Sequence, residues 1–503
     1  MRRRLATMTA AAVLCSAFLT GAGAALPAAS AAAGAGARAV GAGGTWGTAE
    51  QIPGSMPLNK GGQAGTGSVS CAATTACSAG GFYTSGSVGR VPVVQGFVVN
   101  KTRGVWRKAQ EVPGLAALNT AGRARVNSVS CTAPGDCSAG GYYADGSDHQ
   151  QAFVVNETGG TWGSAAEVPG SAALDKGNPG AAIVSVSCAA PGDCSAGGYY
   201  SDASGHQQAF VVRETGGTWG TASEVPGSAV LNAGGFAQIN SVSCAAPGDC
   251  SAGGYYASSS ADGIPVVQAL AVTQANGTWG TAIEVPGTAA RNGGGYAQVN
   301  SVSCTAPGDC SAGGQYTGKT PATQAFVVNQ TGGTWGTVVE VPGTAALNKR
   351  GLAQVNSVSC ATPGNCSAGG FYQDAAYNSQ AFVVNETGGT WGTAVEVPGT
   401  ATLDQGSPGA MVNSVSCAAA GDCSAGGTYA DASDLQQAFV VNEAGGTWSA
   451  AVEVPGTAAL NSGGLAGTQW VSCAPAGSCS AVGSYTNANQ NVQVFVADQT
   501  GGN

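Results

Sequence analysis

Charged residues, histidine and long hydrophobic stretches are all scarce in this chain. Only 9% of the 503 residues are charged, two are histidines, and the formal net charge is −9. Nucleic-acid binding needs clustered Lys and Arg, so this balance argues against a nucleic-acid partner. No apolar run of about 20 residues occurs beyond the N-terminus, so we predict no transmembrane helix. With so few charges, the 82 glycines also argue against a long helical protein.

The first 31 residues have the pattern of a secretory signal. Three arginines precede an apolar stretch over 5–19, and small residues lead to an Ala-x-Ala pattern that ends at Ala31. We predict cleavage near Ala31, by either Sec or twin-Arg export, followed by an Ala/Gly-rich flexible segment over 32–42. The mature protein is then secreted and extracellular. Cleavage removes three Arg and Cys15, which leaves a charge of −9 − 3 = −12 and sixteen cysteines.

These sixteen cysteines form eight Cys-x5-Cys pairs at nearly constant spacing. The first cysteines of successive pairs lie 56 to 60 residues apart, and a tryptophan precedes each by 25 or 26 residues. Such a strict period indicates a repeat architecture. Secretion and the even count predict one local disulfide per repeat, because zinc sites have other spacings and need further Cys or His ligands. The predicted disulfides are Cys71–Cys77, Cys131–Cys137, Cys188–Cys194, Cys244–Cys250, Cys304–Cys310, Cys360–Cys366, Cys417–Cys423 and Cys473–Cys479.

Each repeat has the pattern of four short β-strands joined by turns. In the second repeat we predict strands at 126–131, 137–143, 151–156 and 161–168. Turn signals separate them and no helical periodicity is visible, so the fold class is all-β. Four strands in a unit of 56 to 60 residues is the size of a propeller blade.

The two ends of the chain hold complementary parts of one unit. Fourth-strand sequence opens the repeat region at 43–46, and third-strand sequence closes it around Phe495 with no tryptophan after it. An open stack would need distinct polar caps. We therefore predict a single eight-bladed β-propeller of four-stranded blades over 43–503, closed by pairing the N-terminal strand around Trp46 with the last blade. Two four-bladed rings are the alternative, and we expect a monomer without a membrane anchor.

The turn between the third and fourth strands resembles the Asp-box of BNR repeats. Residues 155–162 read Val-Asn-Glu-Thr-Gly-Gly-Thr-Trp, against Ser-x-Asp-x-Gly-x-Thr-Trp in the box. Gly159, Thr161 and Trp162 match, whereas Val155 and Glu157 depart from the Ser and Asp positions. The box is known from sialidase-type propellers, where it is structural and occupies this turn. The resemblance implies a propeller fold, and fold alone does not carry function.

Several polar motifs have a structural interpretation and a functional one. A Glu-Val-Pro-Gly ending recurs in seven units, so its glutamate is predicted to be an exposed outer-strand residue rather than a catalyst. His149 and His206 occupy the same position in adjacent units, near Asp145 and Asp202. They form either a paired metal or acid–base site or two solvent-facing loop histidines, and the second interpretation is favoured. Asn-x-Thr triplets occur within the Asp-box-like turn at Asn100, Asn156, Asn329 and Asn385. Turn chemistry explains them better than glycosylation does.

The repeats differ mainly in two places that a propeller brings to one face. These are the loops between the second and third strands and the positions eight residues before each first cysteine. Variation on one face of a rigid scaffold is typical of ligand contacts, and neutral drift is the alternative. The candidate ligand-binding residues, expected near the mouth of the central channel, are Arg123, Phe236, Tyr296, Leu352 and Leu465.

Three functions are compatible with this pattern. The first is a non-catalytic propeller that binds a glycan or an extracellular protein through its variable loop face. The second is a purely structural extracellular protein. The third is a sialidase-like glycoside hydrolase, which is disfavoured because no arginine triad and no unique carboxylate pair can be recognised among the repeats. We predict no catalytic residue, no metal and no cofactor.

Overall fold

The computed structural model describes residues 44–500 except residues 179, 262, 263 and 321. The predicted signal at 1–31 and the Ala/Gly-rich segment at 32–42 lie outside the described residues, so both stay predictions. Within the described part of the chain, no helix is long and apolar enough to cross a membrane.

Eight antiparallel sheets with the same strand order make up the described chain. In each sheet the second strand pairs with the first and the third, and two short fourth-strand pieces pair with the third. First strands of successive blades pack against one another around the ring, so the first strand is the innermost. We number the blades 1 to 8 by their cysteine pairs, from Cys71–Cys77 to Cys473–Cys479.

The strand bounds show how regular the repeat is. The first strands of blades 1 to 8 are Ala64–Ala73, Arg125–Ala133, Ala182–Ala190, Ala237–Ala246, Ala297–Ala306, Ala353–Thr362, Met411–Ala419 and Ala466–Cys473. The second strands are Ala76–Val88, Asp136–Ala144, Asp193–Ser201, Asp249–Ala261, Asp309–Thr317, Asn365–Gln373, Asp422–Ala430 and Cys479–Thr486. The third strands are Val91–Thr102, Gln150–Thr158, Gln207–Thr215, Ile264–Ala275, Thr323–Thr331, Ser379–Thr387, Gln436–Ala444 and Val492–Thr500.

Each fourth strand consists of two pieces, and a single helical turn precedes each first strand. The fourth-strand pieces of blades 1 to 8 are Val105–Trp106 with Gln110–Glu111, Thr161–Trp162 with Ala166–Glu167, Thr218–Trp219 with Ser223–Glu224, Thr278–Trp279 with Ile283–Glu284, Thr334–Trp335 with Val339–Glu340, Thr390–Trp391 with Val395–Glu396, Thr447–Trp448 with Val452–Glu453, and Thr45–Trp46 with Glu50–Gln51. The helical turns are Ser55–Leu58, Leu115–Leu118, Ser171–Leu174, Ser228–Leu231, Thr288–Arg291, Thr344–Leu347, Thr400–Leu403 and Thr457–Leu460.

The prediction of one continuous fourth strand is therefore wrong, because the strand is interrupted between its two pieces. In blade 2 the chain leaves the third strand after Trp162, and the Ala165 N–H donates to the Pro113 carbonyl of blade 1 at 2.7 Å. The same bond recurs at every junction, including Ala49 to Pro455 at 2.6 Å. The break gives the outer strand a hydrogen bond to the preceding blade, at the cost of bonds within its own sheet.

The ring closes as predicted. The N-terminal strand pairs with the last third strand, with Trp46 opposite Gln499 and Gln51 opposite Phe495. The first strand of blade 1 packs against blade 8. A single eight-bladed propeller is thus confirmed, and the alternative of two four-bladed rings is wrong.

The hydrophobic core lies between blades rather than within them. One buried cluster joins Val98 and Val112 of blade 1 to Val126, Phe153 and Trp162 of blade 2. A blade buries its large side chains only when its neighbour is present, so closing the ring removes the two exposed edges that an open stack would leave.

Serine side chains tie the innermost strands together. Ser130 Oγ accepts the Cys188 N–H at 2.9 Å, and this contact recurs at all eight junctions, ending with Ser472 and Cys71 at 2.9 Å. The second-strand glycines allow the close approach, since a Cβ on Gly140 would lie 2.7 Å from Ile183 Cγ2 of the next blade.

All eight predicted disulfides are confirmed. Each joins directly opposed residues of the first and second strands across the short turn between them. Each bond closes a seven-residue loop and crosslinks a single hairpin, so the disulfides stabilise blades individually and do not join one blade to the next.

Candidate functional site

The propeller has two faces of different character. We call one the turn face; it carries the cysteine turns between the first and second strands and the Asp-box-like turns between the third and fourth. The opposite face, the loop face, carries the loops between the second and third strands and the connections that lead to the next blade. The sequence-predicted ligand residues belong to the loop face.

On the turn face, an asparagine of one blade holds a glutamate and a tryptophan of the next. Asn156 of blade 2 donates from Nδ2 to Glu214 of blade 3 and accepts the Trp219 Nε1–H at 2.9 Å. Ser138 of blade 2 also donates to Glu214, at 3.0 Å. We call this arrangement the asparagine clasp. It accounts for the triplets at Asn100, Asn156, Asn329 and Asn385, because the amide of each of these asparagines contacts the neighbouring blade.

The clasp changes its chemistry at particular junctions. At the closing junction Asp498 replaces the asparagine and Lys101 replaces the glutamate, and the two form an ion pair of 3.1 Å. Where the asparagine position holds Arg213, the next blade has Gln274 rather than glutamate. Burial raises the pKa of the four clasp glutamates above the ordinary value. The hydrogen bonds that they accept lower the pKa, but by less than burial raises it. These glutamates are Glu157, Glu214, Glu386 and Glu443.

The Glu-Val-Pro-Gly glutamates are half-buried, so the prediction that they are exposed is wrong. Each accepts a hydrogen bond from the second-strand tyrosine of its own blade, such as Tyr143 to Glu167 at 2.9 Å and Tyr256 to Glu284 at 2.9 Å. The pair occurs in seven blades. Burial and the facing carboxylate raise the tyrosine pKa, for Tyr316 to about 12. These carboxylates are structural, as their repetition suggested.

The two histidines lie in loops shaped by an aspartate. Asp202 Oδ1 accepts the N–H groups of Ser204 and His206, which closes the loop between the second and third strands, and Asp145 does the same for His149. His206 packs against Gly235, in the connection that leads to blade 4. His206 therefore lies at the junction of blades 3 and 4, and the paired-site interpretation receives no support from this geometry.

Among the described residues, one group of three or more ligand-type side chains comes close enough to hold a metal ion. It consists of Cys188, Cys194 and Glu214. The two sulfurs are joined in a disulfide and the glutamate is held by Asn156 and Ser138. Neither sulfur is a thiolate, so this group does not form a metal site.

The five candidate residues occupy equivalent places on the loop face, each at a junction between two blades. The backbone of Phe236 bridges to Gln207, at the start of the preceding blade's third strand, and its carbonyl accepts the Ala257 N–H at 2.8 Å. Tyr296, Leu352 and Leu465 make the same contacts in their blades, and Arg123 bridges to Val94. Their gathering at the channel mouth stays a prediction.

Of the five, Phe236 and Tyr296 belong to a denser aromatic group. The Phe236 ring lies 5.1 Å from that of Tyr255, which is 9% exposed, whereas Phe236 and Tyr296 are 40% and 39% exposed. Burial raises the pKa of Tyr255, and the nearby phenols of Tyr296 and Tyr199 raise it further. We call Phe236, Tyr255 and Tyr296 the aromatic platform of blades 4 and 5.

Glutamines surround the platform, and sequence reasoning missed them. Tyr296 Oη donates to Gln298 Oε1 at 3.0 Å, and Tyr255 Oη donates to Gln238 Oε1 at 3.4 Å. Gln207 of blade 3 donates to Tyr255 Oη at 3.3 Å. The signal was present in the repeat itself, because the residue six positions before each first cysteine varies between blades as Gly, Arg, Ala, Gln or Met.

The other three candidates lie apart from the platform or in other surroundings. Arg123 is exposed and forms an ion pair with Asp148 of 2.7 Å. Leu352 and Leu465 are 37% and 59% exposed. Arg350, which precedes Leu352, covers the exposed ring of Tyr377 at 4.1 Å. Arg123 is thus paired with the loop between the second and third strands of its own blade. The aromatic platform instead places two exposed aromatic side chains beside a buried one.

Comparison with known proteins adds little to this picture. No protein-family model matches the chain and no curated protein matches it in sequence, so the Asp-box resemblance has no further support at the sequence level. Solved structures with some likeness include a protein of unknown function from Dyadobacter fermentans, at 11% identity and a TM-score of 0.37, with 65% of this chain and 96% of that chain covered.

Two further structures are carbohydrate-related proteins. A fucose-specific lectin from Aleuria aurantia is 12% identical, with a TM-score of 0.32 and coverage of 65% of this chain and 95% of its own. An ulvan lyase is 10% identical, with a TM-score of 0.37 and coverage of 72% and 89%. Likeness at this level carries no argument about function. The molecule is therefore classed by its own architecture, as a closed, disulfide-bonded eight-bladed propeller. The side chains of its turn face are largely repeated between blades, and those of its loop face vary.

Proposed function

We propose that this chain is a secreted, monomeric, non-catalytic propeller that binds a glycan on its loop face, at the aromatic platform of blades 4 and 5. The observation that carries the proposal is the exposure of Phe236 and Tyr296 around the buried Tyr255, with amide groups beside them. Sugar rings stack on aromatic faces through their C–H groups and bond through their hydroxyls to amides, so this combination suits a neutral sugar.

The position of these aromatics also supports a binding role. The same place in blades 3 and 7 is held by Gly180 and Gly409, so the fold does not need an aromatic there. An exposed aromatic side chain that the scaffold does not require is typical of a recognition surface. The eight disulfides support a location outside the cell, because such bonds persist in oxidising compartments.

Catalysis has less support than binding. Two-carboxylate hydrolysis needs a matched acid pair about 5 to 10 Å apart in a cleft. The repeated carboxylates are already engaged, the Glu167 type by tyrosine and the Asp202 type by backbone N–H groups. A purely structural role remains the first alternative, and the binding experiment below separates the two.

The test is a glycan array with the native mature protein, followed by calorimetry on the strongest hit with a Phe236→Ala/Tyr296→Ala double variant. Removing an aromatic anchor typically costs about 2 kcal/mol or more of binding, so we expect affinity to fall at least about tenfold. Val452→Ala, at an exposed outer-edge position, is the control and should bind normally. Unchanged affinity in the double variant, or no glycan bound at all, would contradict the proposal.

A further inference from the structure

A second feature of the loop face lies away from the aromatic platform, where blades 1 and 2 meet. Arg125 opens the innermost strand of blade 2 and is half-buried. Its guanidinium carbon lies 4.0 Å from the ring centroid of Phe82 in blade 1, a cation–π contact that fixes the plane of the group. Across the sheet it is paired with Tyr142. An arginine and two aromatic residues therefore share this junction.

The polar groups of Arg125 have no partner within the described part of the chain. Its Nε is buried without a hydrogen bond, and the side chain takes part in none of the ion pairs found there. A buried donor without a partner is destabilising, and more so when it is charged. By contrast the exposed Arg123, two residues away, is paired with Asp148. Stability alone would favour an ion pair for the half-buried Arg125 rather than for the exposed Arg123, and the structure shows the reverse.

The scaffold does not require an arginine at this position. The equivalent residues of the other blades are small or neutral, and none of them is acidic. They are Gly65, Ala182, Gln238, Gln298, Gln354, Met411 and Gly467. In the neighbouring blades 1 and 3 the residue is glycine or alanine, so the equivalent position of neither flank supplies a long side chain to the guanidinium.

We propose that Arg125 is an anion-binding residue and that it takes the carboxylate of an acidic sugar, a hexuronate, with Phe82 and Tyr142 beside it as apolar contacts. A planar guanidinium matches a carboxylate with two parallel hydrogen bonds. One guanidinium balances one negative charge, and the net charge of −9 opposes polyanions. The site thus takes an isolated carboxylate among neutral sugars. This inference rests on the proposed glycan binding and extends it to a second subsite.

The test uses matched pairs of disaccharides that differ only in a terminal hexose or its C6-oxidised hexuronate, in the gluco, galacto and manno series. Each is titrated against the native protein by calorimetry, and the arginine Nε–H resonances are followed by NMR. We expect at least one uronate to bind at least about tenfold more tightly than its neutral counterpart, as a charge-assisted pair predicts, and to shift the Arg125 resonance. A monosulfated disaccharide in the same series tests whether the site prefers carboxylate.

The substitution Arg125→Met keeps the bulk of the side chain and places there the residue that blade 7 already carries at Met411. It should remove the preference for the uronate and leave binding of neutral sugars unchanged. Arg213→Met is the matched control. It removes an equal charge from a half-buried arginine whose Nε also lacks a partner, but which lies on the turn face, packed against Gly277 of the next blade.

The outcomes separate this inference from the proposed function. A native protein that binds neutral sugars but shows no uronate preference and no Arg125 shift overturns the Arg125 assignment and leaves the aromatic platform standing. Equal loss in Arg125→Met and Arg213→Met assigns the effect to overall charge and also overturns it. A stronger response to the sulfated sugar than to all three uronates rejects the carboxylate. Failure of every sugar, neutral or acidic, overturns both proposals.

Discussion

The turn face and the loop face are made by the same eight repeats but use them differently. On the turn face the asparagine–glutamate contact recurs at four junctions, so Asn156 with Glu214 and Asn385 with Glu443 are copies of one arrangement. On the loop face the backbone is repeated while the side chains differ, from Gly180 to Phe236 to Arg123. The side chains that join blades on the turn face are therefore largely repeated, whereas on the loop face the blades are joined by backbone contacts and the side chains vary. Changes on the turn face should alter stability, and changes on the loop face should alter binding.

The largest expected effect comes from removing the strand that closes the ring. Deleting residues 44–54 takes Trp46 and Ile52, which are 5% and 0% exposed, out of the core and leaves the third strand of blade 8 as a free edge. We expect blade 8 to lose at least about 3 kcal/mol of local stability, as with loss of other large core residues. Hydrogen exchange measures this, with blade 4 as the internal reference. Native-like protection at 469–498 would contradict closure by the N-terminal strand.

The asparagine clasp should give the next largest effect, and the chain offers a matched control. Asn385→Asp replaces a donor to Glu443 by a second carboxylate, so a half-buried acid would face the buried Glu443. We expect a loss of about 3 kcal/mol at neutral pH. At Asn442 the partner is Gln499, which donates to the asparagine oxygen at 2.7 Å and would donate equally to an aspartate.

Chemical denaturation with the disulfides intact should therefore rank Asn385→Asp far below Asn442→Asp in stability. The loss of stability in Asn385→Asp should also be smaller at pH 4, where one of the two acids is protonated. Equal losses at the two positions would show that the clasp works through shape alone and not through the donor–acceptor match.

Much of this architecture is predictable from the sequence because the repeat acts as its own alignment. The cysteine period, the turn residues and the incomplete ends were enough for the blade count, the disulfides and the closure. The clasp was missed, although it has a signal. Each asparagine and its glutamate lie about one period apart, and where the first becomes Asp498 the second becomes Lys101. Comparing residues within a unit hides this, whereas comparing each unit with the next reveals it.

Side-chain pairing was less predictable than the backbone for a physical reason. Repetition of the Glu167-type residues predicts a structural role, but their tyrosine partners depend on how the second and fourth strands sit across the third. Arg123 and Arg125 look alike in sequence, and one forms an ion pair while the other stacks on Phe82. The alternation of side chains along a strand does not distinguish the two arginines, because they are two residues apart. Arg123 also lies before the strand begins.

The closing junction provides a third, smaller effect within the turn face. Lys101 is 6% exposed and pairs with Asp498, which is 25% exposed. Lys101→Met leaves that carboxylate with only its Trp106 and Ser480 hydrogen bonds, so we expect a loss of about 2 kcal/mol. The double variant Lys101→Glu/Asp498→Asn recreates the clasp of the other junctions and should come within about 1 kcal/mol of the native protein. A double variant as unstable as the single one would show that the closing junction is not equivalent to the rest.

The smallest effect concerns the loop face and its dependence on pH. Six blades carry an asparagine after the helical turn, whereas blades 3 and 7 carry Asp175 and Asp404. Burial raises the pKa of Asp175 from 3.8 to about 6, against a hydrogen bond from the Ser201 N–H that lowers it, and Asp404 is raised similarly. The folded carboxyl thus binds its proton more readily than the unfolded one. The contribution of these two carboxyls to stability is therefore greatest below pH 4 and is lost as the pH rises through 6.

Asp175→Asn removes that titration, so its unfolding midpoint should depend less on pH between 4 and 7 than that of the native protein. After allowance for solvent screening we expect a difference of about 1 kcal/mol, present at pH 7 and absent at pH 4. Thermal unfolding across this range measures it, with Asp202→Asn in the neighbouring exposed loop as the control. Because Asp175 lies on the loop face, the same variant should leave the asparagine clasps untouched. A pH slope identical to that of the native protein would mean that the clasp glutamates, whose pKa values are raised in the same direction, account for all of it.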